Sequence, residues 1–297
     1  MPGIARLLAW LLGSALLWPA AVPAQTSPSP GADSDRPRVG LVLSGGGARG
    51  GAHIGVLRVL EELRVPVDVI VGTSAGSIVG AAYASGLPLP AIEEEMQGLN
   101  TGALFRDSRR ADEPYRRKVD DGTNFIGPEV GVRADGLALP KGAVSGVSLE
   151  AVLRRLTRRQ AHTEFDRLPV PFRAVATDLA TGEMVVLDAG SLTQAVRASM
   201  AVPGAVTPVE IDGRLLVDGG LTRNLPVDLA RQLGADVVIA VNVGTPLLRR
   251  EDISSILSVT EQVIGILTHA NVRQSLSELK ESDILITPEL GDITSAN

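Results

Sequence analysis

The chain has 297 residues, 44% hydrophobic and 21% charged, with a formal net charge of -6. That length suits one enzyme-sized domain, and the composition excludes a disordered or fibrous chain. The acidic balance and an aromatic content of 3% argue against nucleic acid as a partner, and the absence of cysteine excludes disulfides, thiol catalysis and Cys-ligated metal.

Over residues 1–24 a single charge, Arg6, precedes an apolar run that ends at Val22-Pro23-Ala24. This predicts a secretory signal cleaved after Ala24, and so an exported protein that is secreted, periplasmic or associated with an outer membrane. An uncleaved anchor is the other reading, weakened because the run is short and broken by Pro19 and Pro23. Residues 25–37, QTSPSPGADSDRP, have almost nothing to bury and read as a flexible leader. The domain is expected over 38–297.

Within it, Val39 to Leu43 reads as a strand ahead of a glycine-rich turn, and Ala52 to Leu63 has the apolar spacing of a helix. Val67 to Val71 reads as a second strand and Ser77 to Ser85 as a second helix. Strand, helix, strand, helix in that order implies parallel pairing with right-handed crossovers. Residues 100–146 are rich in Gly, Asp and Arg with little periodicity, and are expected to form an irregular insertion or lid. Regular structure resumes with a helix near Ser148 to Arg159, a strand pair around PFRAVATD and EMVVLDAG turning at Thr181-Gly182, and a helix from a Ser191 cap through Ala201. VEIDGRLLVDGG predicts a hairpin through Asp212-Gly213 that delivers Asp218 to a strand end. Pro226 to Leu233 reads as a helix feeding ADVVIAVNV, a buried parallel strand. Ile253 to Lys280, with apolar residues at Ile253, Ile256, Leu257, Val263, Leu267 and Ala270, reads as a long amphipathic helix whose apolar face suits the core or a second copy of the chain.

Three stretches could carry chemistry. Gly72-Thr73-Ser74-Ala75-Gly76 is G-x-S-x-G between a predicted strand and helix, the context of a nucleophile elbow; a plain packing turn with a small serine is the alternative. Ser44-Gly45-Gly46-Gly47-Ala48-Arg49-Gly50-Gly51 would aim backbone N–H groups outward at a helix start. Its G-x-G-x-x-G spacing would fit a dinucleotide, but Asp68 sits at the start of its strand where the ribose-binding acid belongs at the end. No Gly-Lys-Ser/Thr supports a triphosphate loop, which leaves an oxyanion hole.

A serine nucleophile needs a base, and only three histidines exist. His162 falls among polar residues, and His53 reads as a packed or capping residue. His269 would complete the order Ser74, Asp218, His269 of an α/β-hydrolase triad, but it falls inside a helix rather than on a loop beyond a strand. The remaining candidate is Asp218, in Val217-Asp218-Gly219-Gly220, either a base or an Asp-Gly turn. A carboxylate is weaker than imidazole by about 2.6 pK units, so such a site would have to raise it by burial or rely more on oxyanion stabilisation.

SGGGARG, GTSAG and DGG, in that order, together with ASMAVPGAVTPVEIDGRLLVDGGLTRNLPV, resemble the patatin-like phospholipases over nearly all of residues 38–243. The resemblance implies an α/β fold, a three-layer α/β/α arrangement with a mainly parallel central sheet. It also implies an acyl hydrolase using a Ser-Asp dyad without histidine, metal or cofactor. Ser74 would be the nucleophile and Asp218 the base, and Gly45, Gly46 and Gly47 would supply oxyanion amides. Arg49 would shape the loop, with Gly50, Gly72, Gly76, Gly219 and Gly220 completing the motifs; Gly220 stands where many members have alanine. The implied substrate is a phospholipid or related lipid ester met at a membrane surface. The rival from another class is a lipid-binding module of the same fold with an inactive dyad. Exported members resemble bacterial proteins fused to an outer-membrane barrel, so the chain reads as a fragment of such a protein. Two basic clusters, Arg106 to Lys118 and Arg154 to Arg159, are either lipid-recruiting patches or solvated faces interleaved with acids.

Overall fold

The computed structural model describes residues 36–97, 131–133, 136–138, 142–144, 147–157, 163–291 and 293. The expected signal, the leader, the first basic cluster and His162 lie outside them. Five strands run parallel in the order β3 (Phe172–Asp178), β2 (Val69–Thr73), β1 (Val39–Leu43), β7 (Val237–Val241) and β8 (Ile284–Ile286). β1 and β2 are short apolar runs because helices cover both faces, so no polar alternation is needed. Successive residues of each strand feed opposite layers. Leu41, Leu43, Ile70 and Val241 join a core with helices α1 (Ala52–Glu62), α2 (Ala75–Ala84), α3 (Leu89–Gln97), α4 (Val147–Leu156) and α5 (Leu192–Ser199). Val42, Val71, Val238 and Ala240 join the other, with α6 (Val227–Gln232) and Val272 of α7 (Ile256–Ser277). The fold is thus a three-layer α/β/α domain with a mainly parallel central sheet.

The antiparallel strands settle where the site forms. β4 (Met184–Leu187) pairs with β3 from Ala174 to Thr177, occupying one edge. The opposite edge is shared. β2 covers it from Phe172 to Val175, and β6 (Arg214–Asp218) covers it from Ala176 to Asp178, running the other way. Thr73 faces Val175 and Asp218 faces Ala176, so β2 and β6 end head to head at adjacent positions of one strand. Their following residues must turn away from the same point. β5 (Val209–Ile211) completes the predicted hairpin with β6, and both turn residues have positive φ, Asp212 at 50° and Gly213 at 73°.

Several expectations are corrected. α3 and β8 were not anticipated; β8 has only three residues, and three consecutive glutamates in α3 blur its apolar spacing. The segment expected to be irregular holds a short antiparallel pair, 131–133 with 136–138, and a strand, 142–144, that pairs in parallel with 204–206. Of the two readings of the apolar face of α7, burial in the core of this chain is not the one found. Val259, Val263, Ile266 and Leu267 are about half exposed, while the face carrying Thr268, Asn271 and Val272 turns inward. Among the described residues no helix is long and apolar enough to cross a membrane.

Candidate active site

Ser74 follows β2 directly and precedes α2, with φ 51° and ψ -119°. A non-glycine residue in that region costs on the order of 1–3 kcal/mol and persists only where its surroundings enforce it. Here they do so sterically. A Cβ on Gly76 would lie 2.2 Å from the Leu43 carbonyl oxygen, and one on Gly72 would lie 2.6 Å from the Gly76 carbonyl oxygen. The first turn of α2 is therefore pressed backbone to backbone against both β1 and the end of β2, with the chain between β2 and α2 forced into a sharp bend. Polar contacts hold the bend from either side. The Ser74 N–H donates to Ser199 Oγ at 2.9 Å, Ser199 Oγ donates to the Val175 carbonyl at 2.6 Å, and Ser77 Oγ donates to the Ser74 carbonyl at 2.6 Å. Ser199 is a site residue that sequence reasoning missed; nothing in ASMAVPG distinguishes it from any small helical residue.

The bend projects Ser74 Oγ onto the end of β6, where it donates to Asp218 Oδ2 at 2.6 Å. Oδ1 accepts from the Gly220 N–H at 2.7 Å, and Thr177 Oγ1 donates to the Asp218 carbonyl at 2.9 Å. Ser74 is 8% exposed and Asp218 6%, so the pair is nearly covered without being sealed. Burial pushes the Asp218 carboxyl up to about 6, opposed by its hydrogen bonds from Ser74 and Gly220. That brings it close to an ordinary imidazole, so burial supplies the basicity that an aspartate otherwise lacks.

The glycine loop arches over the start of α2. A Cβ on Gly45 would meet Ser74 Cβ at 2.9 Å, and one on Gly50 would meet Ala75 Cβ at 2.4 Å, so both glycines are needed for this approach. Gly45 departs from the expectation for an oxyanion donor: its N–H already donates to Asn224 Oδ1 at 3.1 Å. Gly46 and Gly47 open the short 3-10 turn Gly47–Gly51 ahead of α1, and Gly47 has φ 60°. Arg49 braces the loop from behind, its Nε donating to the Val243 carbonyl at 3.1 Å. Gly219 packs its Cα against the Val175 carbonyl, and Gly220 leaves room beside Asp218 Oδ1.

The two described histidines, His53 and His269, make their ring contacts away from the pair. His269 is exposed on α7 with Nε2 2.8 Å from the Thr245 carbonyl oxygen. Ser74 Oγ reaches the Asp218 carboxylate directly, with no imidazole between them, which corrects the Ser74, Asp218, His269 alternative. His53 is buried behind the glycine loop with Nε2 2.8 Å from the Ser44 carbonyl oxygen, and burial lowers its pKa to about 4, keeping it neutral. Arg154 and Arg155 of the second basic cluster pair with Glu150 and Glu95. Arg158 and Arg159 lie outside the described residues.

A family model described as "Patatin-like phospholipase" matches residues 41–231, a span that contains the elbow, the glycine loop and the aspartate turn. The chain belongs to the patatin-like phospholipase family. It is 37% identical over 209 residues to the mouse patatin-like phospholipase domain-containing protein 6, covering 70% of this chain and 14% of that protein. It is 33% identical over 210 residues to an uncharacterized NTE family protein of Mycobacterium bovis, covering 71% of this chain and 50% of that one. The chain thus spans half or less of the length of these relatives. Among solved structures, VipD from Legionella pneumophila overlaps 88% of this chain and 63% of its own at 18% identity and a TM-score of 0.48, too loose a likeness to add to the assignment.

Proposed function

We propose that this patatin-like domain is a serine acyl hydrolase of lipid esters, phospholipase A-type, with Ser74 as nucleophile and Asp218 as its only base. The observation that carries the reading is the 2.6 Å bond from Ser74 Oγ to a buried carboxylate whose pKa is raised to about 6. As Oγ attacks the ester carbonyl carbon, its proton passes to Asp218 Oδ2 along that bond. The carbonyl oxygen becomes an oxyanion received by backbone N–H groups of the glycine loop, those of Gly46 and Gly47 being free of the tie that holds Gly45. Collapse of the tetrahedral intermediate breaks the bond to the leaving alcohol, which takes the proton back from Asp218 and departs. Water then attacks the acyl-serine with Asp218 again as base, releasing fatty acid and restoring the hydroxyl.

The family's name and that of the mouse relative favour phospholipid as the ester. Reaction at a membrane surface follows from that substrate, and export rests on the apolar run of the first 24 residues alone. The test is labelling with a fluorophosphonate followed by peptide mass spectrometry, alongside turnover of a chromogenic fatty-acyl ester. Ser74 is expected to carry the adduct alone, and Ser74→Ala to abolish both label and turnover. Label on another serine, or full turnover by Ser74→Ala, would discard the assignment.

A further inference from the structure

Asn224 lies six residues beyond Asp218, where the chain leaves the aspartate turn for α6. It is 2% exposed and its carboxamide is spent on one glycine: Oδ1 accepts from the Gly45 N–H at 3.1 Å, and Nδ2 donates to the Gly45 carbonyl at 3.4 Å. A Cβ on Gly45 would lie 2.6 Å from Asn224 Oδ1 as well as 2.9 Å from Ser74 Cβ, so the amide grips the loop where it comes nearest the serine. A Cβ on Gly220 would lie 3.0 Å from both Asn224 Oδ1 and Asp218 Oδ1, so those two oxygens are neighbours.

The grip is anchored in turn. The Asn224 N–H donates to Asn271 Oδ1 at 2.9 Å, and Asn271 Nδ2 donates to the Gly220 carbonyl at 2.8 Å. Thr268 Oγ1 donates to that same carbonyl at 3.1 Å. Two asparagines therefore connect the glycine loop, the aspartate turn and α7, three segments far apart in the chain. A buried carboxamide is tolerable only when paired, and a fully paired network fixes one geometry.

We propose that Asn224 is a positioning residue that sets the distance between the oxyanion amides and the Ser74–Asp218 pair, with Asn271 as its support. By occupying the Gly45 N–H it leaves the oxyanion to Gly46 and Gly47. Because α7 lies beyond residues 41–231, a helix outside the matched family region helps to set the geometry of the site. This inference rests on the hydrolase reading for its catalytic consequence, while the tie itself can be tested without substrate.

Hydrogen exchange on wild type and Asn224→Ala, read on peptides covering residues 44–51, should show faster exchange in the variant with the β2 and β7 peptides unchanged. Equal exchange in the loop would overturn the tie. On the chromogenic ester, Asn224→Ala should lower kcat about 10²-fold with KM within about threefold of wild type, as misplacement of reacting groups does. Asn271→Ala, which removes only the support, should show the same pattern at about tenfold. Asn224→Asp sets a second carboxylate beside Asp218 and should move the acid limb of kcat/KM upward by about one pH unit, a shift absent from Asn224→Ala. A kcat within threefold of wild type for folded Asn224→Ala, or a loss carried by KM, would overturn the positioning role. A wild type that hydrolyses no ester would instead sink the hydrolase reading, and loop exchange alone would then decide the tie.

Discussion

The turn at Ser74 and the turn at Asp218 reach the same point with different balances of close backbone approach and side-chain hydrogen bonding. The serine elbow depends mainly on missing side chains: Gly76 lets α2 meet β1 and Gly72 lets β2 meet α2, backbone to backbone at distances no Cβ could enter, with bonds to Ser199 and Ser77 on either side. The aspartate turn has one such approach, Gly219 against the Val175 carbonyl, and is otherwise held by side chains that are present, with Thr177, Thr268 and Asn271 each donating a hydrogen bond to its backbone. A steric fit to fixed backbone fails abruptly, whereas a set of hydrogen bonds can be thinned one at a time. Substitutions at the close glycines and at the bonding side chains should therefore differ in kind as well as in size.

The sharpest contrast is Gly76→Ala, whose methyl would sit 2.2 Å from the Leu43 carbonyl oxygen and force β1 from α2. A loss above about 3 kcal/mol is expected, read as a lower urea midpoint or as failure to recover folded chain. Stability close to wild type would show that the elbow is not sterically clamped.

On the aspartate side the largest effect is electrostatic. The folded pKa of Asp218, about 6, exceeds the ordinary value of 3.8, so the folded state holds this proton more tightly. The stability contributed by the protonated group is full below about pH 4 and is lost as pH rises through 6. The expected cost above pH 7 is about 3 kcal/mol at most, at about 1.4 kcal/mol per unit. Asp218→Asn should then unfold at higher urea than wild type at pH 8, with the gap closing below pH 4. His53 acts in the reverse sense, its lowered pKa of about 4 making its stability present above pH 6.5 and lost on acidification. It is common to both chains and cancels in the difference.

Smaller effects sharpen the comparison further. Ser199→Ala removes the acceptor of the buried Ser74 N–H and should cost about 1–3 kcal/mol, with weaker fluorophosphonate labelling because the strained bend is less well held. Thr268→Val removes one of two donors to the Gly220 carbonyl and should cost only about 1 kcal/mol in chemical denaturation, Asn271 keeping the other bond.

The same contrast explains what could be read in the sequence. Strands such as Val39–Leu43 announce themselves as apolar runs, and glycines at Gly72, Gly76 and Gly219 mark backbone approach, so both ends of the Ser74–Asp218 pair were legible. The reason they meet was not: it depends on β2 and β6 sharing one edge of β3, a register that no local pattern encodes. Ser199, Asn224 and Asn271 were invisible for a related reason. Each is an ordinary polar residue whose role arises from a partner 47 to 179 positions away. For α7 the apolar spacing gave a helix correctly but not which side of it would face the domain, because Thr268 and Asn271 turn their own face inward by hydrogen bonding.

The most direct measurement is kcat/KM of Asp218→Asn across pH 4 to 9 on the chromogenic ester, with folding checked by circular dichroism. An isosteric amide can keep the Gly220 contact but cannot take the serine proton. A direct Ser-Asp pair predicts a loss of about 10³-fold or more at every pH, against a wild-type profile that falls away below about pH 6. A folded Asp218→Asn chain that hydrolyses within tenfold of wild type, with the same acid limb, would contradict it.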